Sequence, residues 1–129
     1  MRTPEQILRD ARTIAVVGAS PHAHRTSNHV MRYLQRVGYR CIPVNPNADE
    51  VLGERCYPSL RDVPEPVDFV DVFRRATFCP AVAEDAAAIG APALWLQLDI
   101  RSAEARRIAE AAGMDYVEDA CTAVVHRRL

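Results

Sequence analysis

Five short apolar runs recur along the chain, and a polar residue or a glycine follows closely on most of them. The runs are rich in β-branched and aromatic residues, a composition typical of strands that are buried on both faces of a parallel sheet. They span residues 13–17, 40–44, 67–73, 93–96 and 115–117. Pro43 lies inside the second run. Because proline donates no ladder hydrogen bond, it favours an edge position or a late bulge for that strand.

Between the runs, apolar residues recur every three or four positions, which is the spacing of amphipathic helices. Ser or Thr stands where an N-cap is wanted, and glycine stands where a C-cap is wanted. The predicted N-caps are Thr3, Thr26, Thr77 and Ser102, the predicted stops are Gly38, Gly90 and Gly113, and the tail after Asp119 forms a closing helix. Strands that alternate with helices indicate parallel βαβ units. We therefore predict one domain over residues 1–129, an α/β three-layer Rossmann-like sandwich with about five parallel strands.

Composition and charge narrow the kinds of partner. The 16 Lys and Arg residues against 17 Asp and Glu residues give a net charge of −1. No overall field therefore favours nucleic acid or an acidic membrane surface, and any anion site must be local. No apolar run approaches the ~20 residues of a membrane span, and the first residues lack the pattern of a signal peptide. The four cysteines are widely scattered, which favours free thiols and a cytoplasmic location.

The carboxyl ends of the predicted strands are where a parallel sheet holds its ligand. Gly18 follows the first run and permits a sharp turn with close backbone approach. The amides and the dipole of the next helix would face a phosphate there. None of the strand ends carries a nucleophile beside a base, a pair of carboxylates or a cluster at metal-ligand spacing. We therefore predict binding chemistry with no catalytic and no metal-ligating residues.

A dinucleotide fingerprint that starts at Gly18 is met only in part. Its three positions fall on Gly18, Ser20 and Ala23, so the second glycine, which admits the pyrophosphate, is absent. Asn45 stands at the end of the second run, where an acid that binds the ribose diol is expected. These departures disfavour ordinary NAD binding. They leave a phosphate-bearing nucleotide, to which Arg25 offers bidentate contact.

For several other polar residues near the predicted strand ends, two roles are possible. The hydroxyls of Thr26 and Ser27 suit either helix capping or phosphate contact, and Arg74 suits either a phosphate or adenine contact or a salt bridge to a neighbouring helix. His22 and His24 lie two positions apart, but no third ligand stands near them. We interpret both histidines as solvated loop residues rather than as a metal pair.

A set of short motifs extends in one order from about residue 8 to the end of the chain. The motifs are Gly18-Ala19-Ser20, Arg25-x-Ser27, Gly38-Tyr39, Pro43-Val44-Asn45-Pro46, Gly53, Tyr57-x-Ser59-Leu60, Val67-Asp68-x-Val70-Asp71-Val72-Phe73-Arg74, Trp95-Leu96-Gln97 and Cys121. In these motifs the chain resembles the small stand-alone coenzyme-A-binding domain proteins of the YccU-like type. Their fold is similar to that of the amino-terminal domain of the succinyl-CoA synthetase α subunit. The commonest form of the family has Pro where Thr26 stands here.

The resemblance implies a coenzyme A site at the carboxyl edge of the sheet. The turn after the first strand and Arg25 would take the phosphates, the end of the second strand would lie near the nucleotide, and two further strand ends would follow the adenosine and the pantetheine arm. The implied cofactor-binding residues are Gly18, Ala19, Ser20, Arg25, Thr26, Ser27, Asn45, Pro46, Asn47, Phe73, Arg74, Gln97 and Leu98. The histidine that is phosphorylated in the larger ligases belongs to a second domain. The resemblance therefore supports binding better than catalysis.

Three functions stay open on the sequence. The first is a module that binds coenzyme A or an acyl-CoA as its small-molecule partner. The second is an NAD(P)-binding oxidoreductase or redox sensor, which would have to tolerate Ser20 and Asn45 in the fingerprint. The third is a component of an acyl-CoA ligase that acts with a partner subunit. A protein partner or a homo-oligomer is compatible with each of them.

Overall fold

All five apolar runs form strands in the computed structural model, which describes residues 1–129. In chain order the strands are β1 (Thr13–Val17), β2 (Arg40–Val44), β3 (Glu50–Val51), β4 (Glu54–Arg55), β5 (Phe69–Val72), β6 (Ala93–Leu96) and β7 (Asp115–Val117). Five of them form one parallel sheet in the order β2-β1-β5-β6-β7. The predicted α/β Rossmann-like fold with about five parallel strands is confirmed. The pairing of β3 with β4 is a small antiparallel hairpin that the sequence reasoning missed.

Helices cover both faces of the sheet and bury two apolar cores. They are α1 (Pro4–Asp10), α2 (Thr26–Arg36), α3 (Cys79–Ala88), α4 (Ala103–Ala111) and α5 (Thr122–Arg127). One core packs α3 and α4 against the sheet, and the other packs α1, α2 and α5 against the opposite face. This division follows from the strands, whose successive side chains point to opposite faces and are apolar on both.

The predicted helix starts have mixed outcomes. Thr3 and Ser102 are N-caps, and their hydroxyls accept from the amides of Gln6 and Ala105. The prediction for Thr77 is wrong, because residues 76–78 form a 3₁₀ turn and the cap position of α3 is Phe78. The prediction for Thr26 is also wrong. That residue is the first of α2, and the cap position is occupied by its neighbour Arg25.

Pro43 lies on an edge strand, as predicted. Its carbonyl accepts from the amide of Tyr57 at 3.1 Å, and the carbonyl of Tyr57 accepts from the amide of Asn45 at 2.9 Å. The neighbouring Val44 directs its carbonyl inward to the amide of Gly18. Because the N–H and C=O of one strand residue point the same way, the N–H that proline lacks would have faced away from β1. The sheet therefore loses no ladder bond at this position.

The order of the strands creates a crevice in the middle of the sheet. The chain runs from β1 outward to β2 and then crosses to β5 on the other side of β1. The two crossovers diverge at this point, so the carboxyl ends of β1 and β5 are left with open space above them. A ligand of an open α/β sheet binds in such a crevice, and the residues that follow β1, β2 and β5 line it.

Candidate functional site

Gly18 allows the ends of β1 and β5 to approach one another closely. Its φ is +86°, in the left-handed region, and a Cβ atom added there would lie 3.2 Å from both the Cγ atom of Arg74 and the backbone carbon of Phe73. A side chain at this position would therefore be strained and crowded. Because Gly18 has no side chain, it leaves the bottom of the crevice open and the backbone of the following loop accessible.

The loop after Gly18 is held by amide side chains from two elements. The Nδ2 group of Asn45 donates to the carbonyl of Ala19 at 2.7 Å, and the Nδ2 group of Asn28 donates to the carbonyl of Ser20 at 2.9 Å. The Oδ1 atom of Asn45 also accepts from the amide of Asn47 at 2.8 Å. Asn45 therefore shapes the loop and the end of β2, and its amide is largely engaged in that task. The sequence reasoning missed Asn28, which lies buried in the first turn of α2.

The N-terminus of α2 is open toward this loop. Thr26 and Ser27 are its first two residues, no side chain caps it, and their backbone amides find no acceptor in the protein. The first amides of a helix carry partial positive charge, and an anion satisfies them well. The absence of a cap therefore leaves a place for an acidic ligand group at the end of an eleven-residue helix.

Two adjoining cavities occupy the crevice. The polar cavity, of about 500 Å³, is lined by Gly18, Ser20, Pro21, His22, Arg25, Thr26, Ser27, Asn45, Asn47, Phe73 and Arg75. The mixed cavity, of about 380 Å³, is lined by Val17, Gly18, Arg25, Val44, Asn45, Pro46, Asn47, Pro58, Ser59, Leu60, Phe73, Arg74, Arg75, Phe78, Val82 and Asp85. The polar cavity contains two arginines and no acid. The mixed cavity is lined by the same two arginines and also by apolar side chains.

The structure gathers most of the site residues that the sequence predicted. Ten of the thirteen line one or both cavities, and they are Gly18, Ser20, Arg25, Thr26, Ser27, Asn45, Pro46, Asn47, Phe73 and Arg74. Ala19, Gln97 and Leu98 line neither. Ala19 is fully buried under the turn, and Leu98 lies 59% exposed on the loop after β6. Arg75 lines both cavities and Phe78 lines the mixed cavity. Neither residue was predicted, because a second arginine in sequence or an apolar residue at helical spacing does not by itself indicate a ligand.

Gln97 belongs to a buried polar cluster with Asp71 and Thr122. Its Nε2 group donates to Oδ1 of Asp71 at 2.5 Å and to Oγ1 of Thr122 at 2.9 Å, and the Thr122 hydroxyl donates to Oδ2 of Asp71 at 3.1 Å. Burial in the sheet raises the pKa of Asp71 to about 7, although both hydrogen bonds act in the opposite direction. The Gln97 side chain therefore joins β6 to β5 and to the start of α5 rather than facing the cavities.

The arginines of the site have no acidic partner. Arg25, Arg74 and Arg75 form no salt bridge, whereas Arg40 and Arg61 each pair with a carboxylate at 2.7 Å. The Arg74 guanidinium lies 4.0 Å from the centre of the Phe78 ring, a cation–π contact on the wall of the mixed cavity. The crevice therefore carries a local excess of positive charge in a protein of net charge −1, which is the electrostatic environment that suits an anionic group.

Comparison with known proteins identifies the family. The family model described as "CoA binding domain" matches residues 12–127, so the chain belongs to the CoA-binding domain family. It is 39% identical over 122 residues to the uncharacterized protein YneT of Bacillus subtilis, a match covering 95% of this chain and 90% of that one. A solved structure of a hypothetical protein from Pyrococcus horikoshii OT3 is 40% identical with a TM-score of 0.94, and it covers 99% of this chain and 92% of that chain.

A second kind of relative is a much larger enzyme. The ADP-forming acetate–CoA ligase II of Archaeoglobus fulgidus is 35% identical over 81 residues, which are 61% of this chain and only 12% of the ligase. The predicted resemblance to CoA-binding domain proteins is therefore confirmed by the family model and by the matching region of the ligase.

No helix in the structure has both the length and the apolar character that crossing a membrane requires.

Proposed function

We propose that the protein binds coenzyme A or an acyl-CoA in the crevice at the carboxyl edge of its sheet. The observation that carries the proposal is the polar cavity. It combines two unsatisfied helix amides, those of Thr26 and Ser27, with the arginines Arg25 and Arg75 and with no acid. Charge-assisted bonds from arginine and from helix amides suit the diphosphate of such a ligand. Family membership supports the same ligand class.

The mixed cavity supplies the other half of the ligand's chemistry. Phe73, Phe78 and Leu60 give it an apolar wall next to the arginines, and ligand sites in proteins combine apolar walls with a few convergent polar groups. An adenine ring and the upper pantetheine arm are less polar than the diphosphate, so they would occupy this side. We expect Gln97 to contribute through the position of the β6 end and not through direct contact.

Binding without chemistry is the role that the side chains favour. In the lining of the mixed cavity, the Ser59 hydroxyl donates to Oδ2 of the exposed Asp62 at 2.9 Å. In the polar cavity, the Ser20 hydroxyl accepts from the backbone amide of His22 at 3.1 Å. Neither serine is hydrogen-bonded to a histidine side chain. His22 lines the polar cavity, and its ring centre lies 5.8 Å from that of His24 on the same exposed loop. Asp85, the one acid in the lining, is paired with Arg61. The protein would therefore deliver, sense or present its ligand, with no catalytic centre of its own.

A ligase component is the second candidate, and the similarity to the acetate–CoA ligase favours it. In that case a partner subunit would bring the reactive groups, and this chain would hold the coenzyme. An NAD(P) enzyme is the weaker alternative. Asn45, which stands where an acid would bind the ribose diol, instead engages its amide with the loop and with its own strand end.

Isothermal titration calorimetry of the purified protein with CoA, acetyl-CoA, NAD and NADP separates these functions. We expect CoA or acetyl-CoA to bind and the two dinucleotides to bind at least tenfold more weakly. Tight binding of NAD or NADP without binding of CoA would overturn the proposal in favour of the oxidoreductase. Native mass spectrometry of the protein as purified adds an independent check, because a retained ligand would appear as a defined increase in mass.

A further inference from the structure

Arg74 differs from the other two arginines of the site in its surroundings. It lines only the mixed cavity, whereas Arg25 and Arg75 line both cavities. It is half-buried, its stem lies against Gly18, and its guanidinium stacks on Phe78. It has no carboxylate partner, and the one acid in the same lining is already neutralised by Arg61 at 2.7 Å. Arg74 therefore offers the crevice a second unpaired positive group, apart from the helix amides.

We infer that Arg74 binds the 3′-phosphate of coenzyme A, with the adenine ring packed against Phe78. The inference rests on the proposed function. If the diphosphate lies on the α2 amides in the polar cavity, the adenosine extends into the mixed cavity, because that cavity adjoins the first and has the apolar wall. The 3′-phosphate projects from the ribose between the diphosphate and the base. Its two negative charges then need a cation on that side, and a guanidinium presents the matching fork of donors.

Arg74 and Arg75 would contact different groups of the ligand. Arg75 lines the polar cavity beside the α2 amides and would act on the diphosphate, which every form of the ligand carries. Arg74 would act on a phosphate that coenzyme A has and that dephospho-CoA, NAD and ADP lack. Specificity for coenzyme A over these nucleotides would then come from one residue at the end of β5.

Calorimetry with CoA and dephospho-CoA on the wild type, Arg74→Gln and Arg75→Gln tests this assignment. We expect the wild type to bind CoA about 10- to 100-fold tighter than dephospho-CoA, the range of one charge-assisted contact. Arg74→Gln should weaken CoA by that factor and change dephospho-CoA by less than about twofold. Arg75→Gln should weaken both ligands alike. Glutamine keeps the stem that covers Gly18, and circular dichroism melting curves verify that both variants fold.

Two results would overturn the assignment while leaving the proposed function intact. One is equal affinity of the wild type for CoA and dephospho-CoA, and the other is an equal loss of both ligands in Arg74→Gln. If neither ligand binds, the proposed function is wrong. Adenosine 3′,5′-bisphosphate and AMP, which differ only in the 3′-phosphate, then test the arginine alone. An arginine that binds the 3′-phosphate would still favour the bisphosphate, and this preference would be lost in Arg74→Gln. Equal binding of the two nucleotides would reject it.

Discussion

Replacing Asp71 by Asn should remove a pH dependence from the stability of the fold. The Asp71 carboxyl lies in the central part of the sheet with no exposed surface, and only Gln97 and Thr122 donate to it. Asparagine has nearly the same shape, keeps a carbonyl oxygen for Gln97, and does not ionise. The variant therefore separates the cost of a buried charge from the packing of the side chain.

The magnitude follows from the raised pKa of Asp71. Burial raises this pKa from 3.8 to about 7, so the folded protein keeps a proton that the unfolded chain releases between about pH 4 and pH 7. The stability that the protonated group contributes is therefore complete below pH 4 and is lost as the pH rises to about 7. At about 1.4 kcal/mol per pKa unit, the whole loss is about 4 kcal/mol, and the part between pH 5 and pH 8 is about 2.5 kcal/mol.

Urea denaturation of the wild type and of Asp71→Asn at pH 5, 6.5 and 8 measures this difference. We expect the free energy of unfolding of the variant, relative to the wild type, to increase by about 2.5 kcal/mol from pH 5 to pH 8. Asp49→Asn is the matched control, because Asp49 is exposed and its carboxylate has no hydrogen-bond partner. A difference between Asp71→Asn and the wild type that stays constant with pH would refute the reasoning.

Three further substitutions have defined outcomes. Arg25→Ala should weaken CoA binding by about 1–3 kcal/mol in calorimetry, and unchanged affinity would remove Arg25 from the site. Gly18→Ala should lower the free energy of unfolding by more than Gly38→Ala, which shares its positive φ but meets no atom within 4 Å. Equal losses in urea titrations would contradict the crowding at Gly18. Trp95→Phe should cost about 1–3 kcal/mol, because it leaves the Ala120 carbonyl without its 2.8 Å donor; an unchanged urea midpoint would argue against that role.

The strands could be predicted from the sequence because their burial makes them apolar on both faces. β1, β2, β6 and β7 have the predicted limits, and β5 is shorter than its apolar run at both ends. Gly18 was also predictable as a turn with close backbone approach, since only a glycine tolerates the conformation that brings β1 against β5. Periodicity and local conformational preference determined both features, and neither depends on distant partners.

Side-chain roles that depend on distant partners could not be predicted in this way. Gln97 stands at a strand end like a ligand-binding residue, but Asp71 and Thr122, 26 and 25 positions away, draw its amide into the core. Thr26 is a favourable cap by residue type, yet the helix begins one residue earlier than a Thr26 cap requires and its amides stay open. An uncapped N-terminus is typical of a helix whose amides serve a ligand, and composition alone does not indicate it.

Pro43 and the segment around Tyr57 protect part of one edge of the sheet against a further strand. On the outer side of β2, the backbone of Tyr57 already takes the carbonyl of Pro43 and the amide of Asn45, which an added strand would need. The opposite margin belongs to β7, whose one neighbour is β6. Pairing of a further strand is therefore obstructed along this part of β2, whereas β7 has an edge with no neighbouring strand.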